Sequence, residues 1–227
     1  MTNSIVFLGG FALSLLVYAL LAKFFWWDSL KTQPPGKADA LLLVPHTFRH
    51  LGLLALVPQV VDAVTPIPVV AAGGIFDGRG IAAALMMGAA GVNLGTRFIA
   101  TQESPAPQRW KQAIVEAKSE DAIKVDVLND ISPLPGTAGF RTVLRSLHTE
   151  FIDEWSAKRD EARRERERLK NEIVSTTQAG RPDATLLTAG QTAGGVKDIP
   201  TVAEIMRRLV VETETALNKA ADLFEAA

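Results

Sequence analysis

The sequence predicts an α/β fold in which parallel strand–helix units follow a hydrophobic N-terminal helix and precede a helical tail. Three observations predict it. Two short apolar runs, IPVVAA over residues 67–72 and GVNL over 91–94, each end directly in glycine. A helix-forming stretch lies between them, which is the grammar of a parallel sheet. The chain also opens on an almost wholly apolar segment, physically unlike the charged stretch at residues 153–172.

The opening segment, IVFLGGFALSLLVYALLA at residues 5–22, carries no charge, and Phe24 to Trp27 extend it past Lys23. At about 1.5 Å per residue it nearly spans a hydrocarbon core of roughly 30 Å. Trp26 and Trp27 suit the interface. Lys23, Lys31, Lys37 and Arg49 all follow the run, which predicts a membrane anchor with the remainder in the cytoplasm. A signal peptide would want a basic start and a small-residue cleavage site, and neither is present. If the segment is foreign to the rest of the chain, the expectation becomes a cytoplasmic protein. TQPPG at 32–36 breaks any helix. The apolar runs Ala40–Val44 and Leu51–Val57 read together as a second interfacial or spanning segment. This piece loosely resembles small uncharacterised bacterial membrane proteins, and the expected division is 1–51 and 52–227.

Beyond it, Val57, Val60, Val61 and Val64 recur at helical spacing, and Pro66 and Pro68 end that helix. IPVVAA suits a strand buried on both faces. Residues 81–87 form a second short helix, with Gly88 as its C-terminal stop. Residues 150–170 read as one charged helix in which Asp160–Arg164, Glu165–Arg168 and Glu167–Lys170 pair. Both signs balance there, so it is a solvated face and not a nucleic-acid patch. Gly180 and Pro182 mark a break. Residues 201–226 form the last helix, with Thr201 as N-cap and Glu204 three residues on.

Net charge is −1 over 227 residues, which points to no nucleic-acid partner. There is no cysteine, so disulfides, thiolate catalysis and Cys-ligated metal are excluded. The three histidines are His46, His50 and His148. His46 and His50 stand at i, i+4 spacing with no third ligand near them in sequence, so no metal site is expected.

Glycine after a strand lets the backbone approach a ligand and turn its N–H groups outward. Two such turns, each near a helix start, make an anion pocket. Gly73-Gly74 and Gly95-Thr96 stand one strand–helix unit apart. In (β/α)₈ barrels the recurrent phosphate site lies after strands seven and eight.

The stretch LVPQVVDAVTPIPVVAAGGIFDGRGIAAALMMGAAGVNLGTRFIATQES resembles the nitronate monooxygenase family, once called 2-nitropropane dioxygenases, which is itself similar to flavin-dependent enoyl reductases. AAGGI, DGRG and NLGTRF carry the resemblance. FRTVLRSLHTEFIDEW at 140–155 and AGQTAGGVKDIPTVAEIMRRLV at 189–210 extend it from about residue 52 to 220. It implies an incomplete TIM (β/α)₈ barrel, its last two strand–helix units and a helical tail. Strands one to six have no counterpart before residue 50.

It also implies an FMN cofactor, with Gly73, Gly74, Asn93, Leu94, Gly95 and Thr96 around the flavin phosphate. Backbone N–H groups of Gly74 and Gly95 and the Thr96 hydroxyl would be the donors. The implied partners are an alkyl nitronate and oxygen. Asp77 and Arg79 are loop and helix-start residues, not catalysts. His50 precedes Leu51-Gly52 as a histidine precedes a related string in the family, but its neighbours are Phe48-Arg49. It reads as an interfacial histidine, and no catalytic residue is assigned. Two readings follow: a truncated and fused FMN-dependent nitronate monooxygenase-like protein that oxidises alkyl nitronates with oxygen, or a non-catalytic membrane-anchored fusion that keeps only a phosphate-site remnant. Two strands with open edges would favour oligomers.

Overall fold

The computed structural model describes residues 42–45, 52–132 and 144–225. The helix expected over residues 5–27, His46 and His50 lie outside the described residues. Among the described residues no helix is long and apolar enough to cross a membrane. Two compact units divide the chain after Leu94; the second runs Gly95–Ile199, and Pro200 onward returns to the first.

The first unit is a parallel sheet in the order β1 (Leu42–Pro45), β2 (Val69–Ala72), β3 (Gly91–Asn93). Leu42 pairs with Val69 and Pro45 with Ala72, while Val70 pairs with Gly91 and Ala72 with Asn93. The run at residues 40–44 is therefore not part of a second membrane segment: most of it is a strand, and the sheet has three strands where two were expected. An unbroken apolar run shows no alternation, so a strand buried on both faces and a lipid-facing segment read alike.

Helix α1 (Leu53–Val64) joins β1 to β2, and α2 (Gly78–Met86) joins β2 to β3. Of the 51–57 run, Leu53–Val57 belongs to α1. Val57 is fully buried, and Val60, Val61 and Val64 pack on Leu56 and Val69. Gly88 ends the α2 turn at φ +91°, and a Cβ there would stand 2.9 Å from Val61 Cγ1. Ile81, Ala82 and Ala84 form the buried face of α2. The C-terminal helix, Val202–Glu225, packs against α2 and buries Ile205, Leu209 and Thr213. Its start is as expected, with the Thr201 hydroxyl accepting from the Glu204 N–H at 3.2 Å.

The second unit opens with α3 (Thr96–Ile99) and α4 (Gln108–Glu116). An antiparallel sheet follows in the order β4 (Ala122–Val125), β5 (Leu144–Leu147), β6 (Leu187–Thr188), with α5 (Leu128–Ile131) after β4. Ile99, Trp110, Ile114, Ala122, Leu147 and Leu187 form one core.

The charged stretch is three helices, not one: α6 (Glu150–Ala157), α7 (Arg159–Arg164) and α8 (Arg166–Gln178). The breaks fall at Lys158 and Glu165, and they turn Phe151, Ile152, Trp155, Ala162 and Leu169 into a common core with Leu128 and Ile131. Glu165 does pair with Arg168. Asp160 meets Arg163 one position early, and Glu167 lies 3.5 Å from Arg166.

Asp130 holds these helices to α5. It accepts from Arg159 Nε at 2.6 Å and from Arg163 Nε at 3.0 Å. Burial pushes its carboxyl up, but the two guanidinium groups outweigh burial and leave it below the ordinary carboxylate value. That contribution is complete above the unfolded carboxylate pKa of about 3.9 and is lost as pH falls through the lowered folded value. Asp130→Ala is thus expected to cost about 1–2 kcal/mol at neutral pH, discounted because both arginines are partly solvated. Urea titrations at pH 7 and pH 3 check it: the gap between variant and parent should narrow in acid.

Candidate functional site

Strand register brings part of the candidate site together in the first unit. Ala72 and Asn93 are partners across β2 and β3, so Gly73 and Leu94 leave the same end of neighbouring parallel strands. Gly73 and Gly74 both have positive φ, 102° and 71°, a conformation that costs other residues energy. A Cβ on Gly74 would meet no atom within 4 Å. The turn therefore keeps its backbone open on one side.

The helix that follows does not offer a bare N-terminus. Asp77 caps α2 and accepts from the Gly80 N–H at 2.9 Å, and Glu212 of the C-terminal helix accepts from the Gly78 N–H at 2.9 Å. Two carboxylates of the protein already occupy the positive end of this helix. The expectation that a helix dipole would assist the first turn is therefore corrected: the Gly73-Gly74 amides would have to act for themselves. Arg79 pairs with Asp77, which matches the helix-start role expected of both.

In the second unit Gly95 precedes α3, and a Cβ on it would again meet nothing within 4 Å. Among the described residues no protein acceptor takes the Gly74 or Gly95 N–H. The Thr96 Oγ1 accepts from the Gly190 N–H at 2.9 Å. An accepting hydroxyl keeps its own proton to give away. Arg97, buried to 4% exposure, donates from Nη1 to the Asp198 carbonyl at 3.1 Å and from Nη2 to Asp198 Oδ1 at 2.7 Å.

In the first unit the Gly74 turn, and in the second the Gly95 backbone together with the Thr96 hydroxyl, each offer groups of the kind that bind a phosphate oxygen. Gly190 and Asp198 had no place in the sequence-based site. The signal available for Gly190 was the glycine-rich AGQTAGG string, which ends before Asp198. Among the described residues no cluster of His, Asp and Glu could hold a metal ion.

The family model for nitronate monooxygenase matches residues 44–212. The chain belongs to the nitronate monooxygenase family. The match begins inside β1 and runs through both units, so the strand missed in the sequence lies partly within it.

Curated relatives carry the same likeness over shorter lengths. A probable nitronate monooxygenase of Staphylococcus haemolyticus is 44% identical over 103 residues, 45% of this chain and 26% of the relative. One of Staphylococcus saprophyticus is 42% identical over 111 residues, covering 49% and 28%. The chain thus spans roughly a quarter of the length of these family members.

Among solved structures, FabK from Thermotoga maritima superposes with a TM-score of 0.69 at 25% identity, over 96% of this chain and 63% of that one. Nitroalkane oxidase from Streptomyces ansochromogenes gives a TM-score of 0.60 at 30% identity, over 75% and 46%. Consecutive parallel strands joined by helices are what a segment of a (β/α)₈ barrel in this family requires.

Proposed function

We propose that this chain carries the phosphate-binding part of an FMN-dependent enzyme that oxidises alkyl nitronates with oxygen. The observation that carries the proposal is the family match over residues 44–212, which contains Gly73-Gly74 and the run Asn93 to Thr96. The 30% identical structure, that of a nitroalkane oxidase, supports the reaction class. The open Gly74 and Gly95 backbones support the cofactor class.

In this reading the N–H groups of Gly74 and Gly95 and the Thr96 hydroxyl donate to phosphate oxygens, with Gly73, Asn93 and Leu94 shaping the turns. Hydrogen bonds to an anion are about twice as strong as neutral ones, so few donors suffice. When bound, the flavin supplies the redox chemistry and the chain holds and orients it.

The test is a titration of the purified full chain with FMN, followed by oxygen uptake with propionate 3-nitronate. Saturable binding with nitronate-dependent uptake is the expected result. A folded chain that leaves FMN fluorescence and absorbance unchanged removes the flavin reading.

The uncharged run at residues 5–22 favours a second reading, a membrane-anchored protein that binds the flavin phosphate without turning substrate over. FMN binding with no oxygen uptake, in protein recovered from the membrane fraction, would select it.

A further inference from the structure

The segment Gly190–Asp198 is pinned to the rest of the second unit at three points. Its first residue donates its N–H to Thr96 Oγ1 at 2.9 Å. Near its middle, Gly194 lies so close to Ser119 that a Cβ would fall 2.6 Å from the Ser119 backbone nitrogen. At its end, Asp198 is held by the buried Arg97 through both its carboxylate and its carbonyl. Ala193 and Val196 are buried between these points. Thr96 and Arg97 are adjacent in sequence, so one short stretch of chain holds both ends of the segment.

We propose that Arg97 and Asp198 are a positioning pair: they hold Gly190 where its N–H fixes the Thr96 hydroxyl as a hydrogen-bond donor toward an anionic ligand. A free threonine hydroxyl rotates and either donates or accepts. With one lone pair engaged by an N–H, the hydroxyl proton points away from Gly190. An anion then meets a donor already oriented, and the rotor entropy of choosing it is spent on folding and not on binding. Neither Arg97 nor Asp198 needs to touch the ligand. The proposal rests on the flavin reading, in which the ligand is the FMN phosphate.

Riboflavin, which lacks the phosphate, separates this role from a merely structural one. The full chain is titrated with FMN and with riboflavin. Thr96→Val is expected to weaken FMN about tenfold or more while changing riboflavin less than about twofold. Thr96→Ser restores the preference. Asp198→Ala should reduce the FMN preference several-fold in the parent and not at all in the Thr96→Val background, because it acts through that hydroxyl. If Asp198→Ala does not fold, Asp198→Asn carries the same cycle with a smaller effect. A parent chain that binds no FMN overturns the flavin reading and this inference together. A parent that prefers FMN, with Asp198 and Thr96 substitutions strictly additive or without effect on that preference, overturns the inference alone.

Discussion

Replacing Gly78 with alanine is expected to lower stability by about 3 kcal/mol, at the upper end of the ordinary cost of overpacking. The reason is contact with backbone and not with a movable side chain. A Cβ on Gly78 would lie 2.3 Å from the Thr213 nitrogen and 2.3 Å from the Glu212 Cβ. Helix α2 and the C-terminal helix touch at this point, and the Gly78 N–H donates to the Glu212 carboxylate there. To admit one methyl group the helices must separate. That strains the hydrogen bond and loosens the contact that buries Ile81 and Leu209. Urea unfolding followed by circular dichroism measures the loss. A midpoint within about 0.5 kcal/mol of the parent would show that the two helices do not meet as described.

Gly74→Ala should behave in the opposite way, sparing the fold and removing the ligand. The added Cβ meets nothing within 4 Å, so there is no clash. The cost to stability is the left-handed backbone at φ +71°, about 1–2 kcal/mol. The same methyl group projects into the open side of the turn, where the proposed phosphate would approach the Gly74 N–H. Losing a charge-assisted hydrogen bond there is expected to weaken FMN about tenfold or more. A Gly74→Ala chain that keeps parental FMN affinity would take this turn out of the site, whatever the family likeness. Gly78 and Gly74 stand four residues apart, and the two results together would separate a glycine kept for helix contact from one kept for ligand contact.

Some elements were plain from local pattern. The valines of α1 repeat at helical spacing, Gly88 closes α2, and Thr201 opens the C-terminal helix; each signal lies within a few residues of its effect. Leu42–Pro45 was not plain, because an unbroken apolar run shows no alternation to mark it as a strand. The antiparallel sheet was missed for another reason. Its strands are at most four residues long, and β5 pairs with β4 and β6 across long stretches of chain. Likewise the charged stretch was read as one helix because its ion pairs satisfy helical spacing on either side of each break. What bends it is the buried row from Phe151 to Leu169 and the grip of Asp130 on two arginines, a contact that only packing reveals.

The candidate site divides in the same way. By itself the sequence determined where glycine follows a strand, and so where backbone amides could be offered at Gly74 and Gly95. It also determined the family, through strings long enough to be specific. Only the tertiary structure decided which donors are still open. Glu212 closes the start of α2 from 134 positions away, and Gly190 engages Thr96 from 94 positions away. Turn geometry is a property of a few consecutive residues, whereas the partner of a hydrogen bond is whatever the folded chain brings within 3 Å, and no local pattern carries that information.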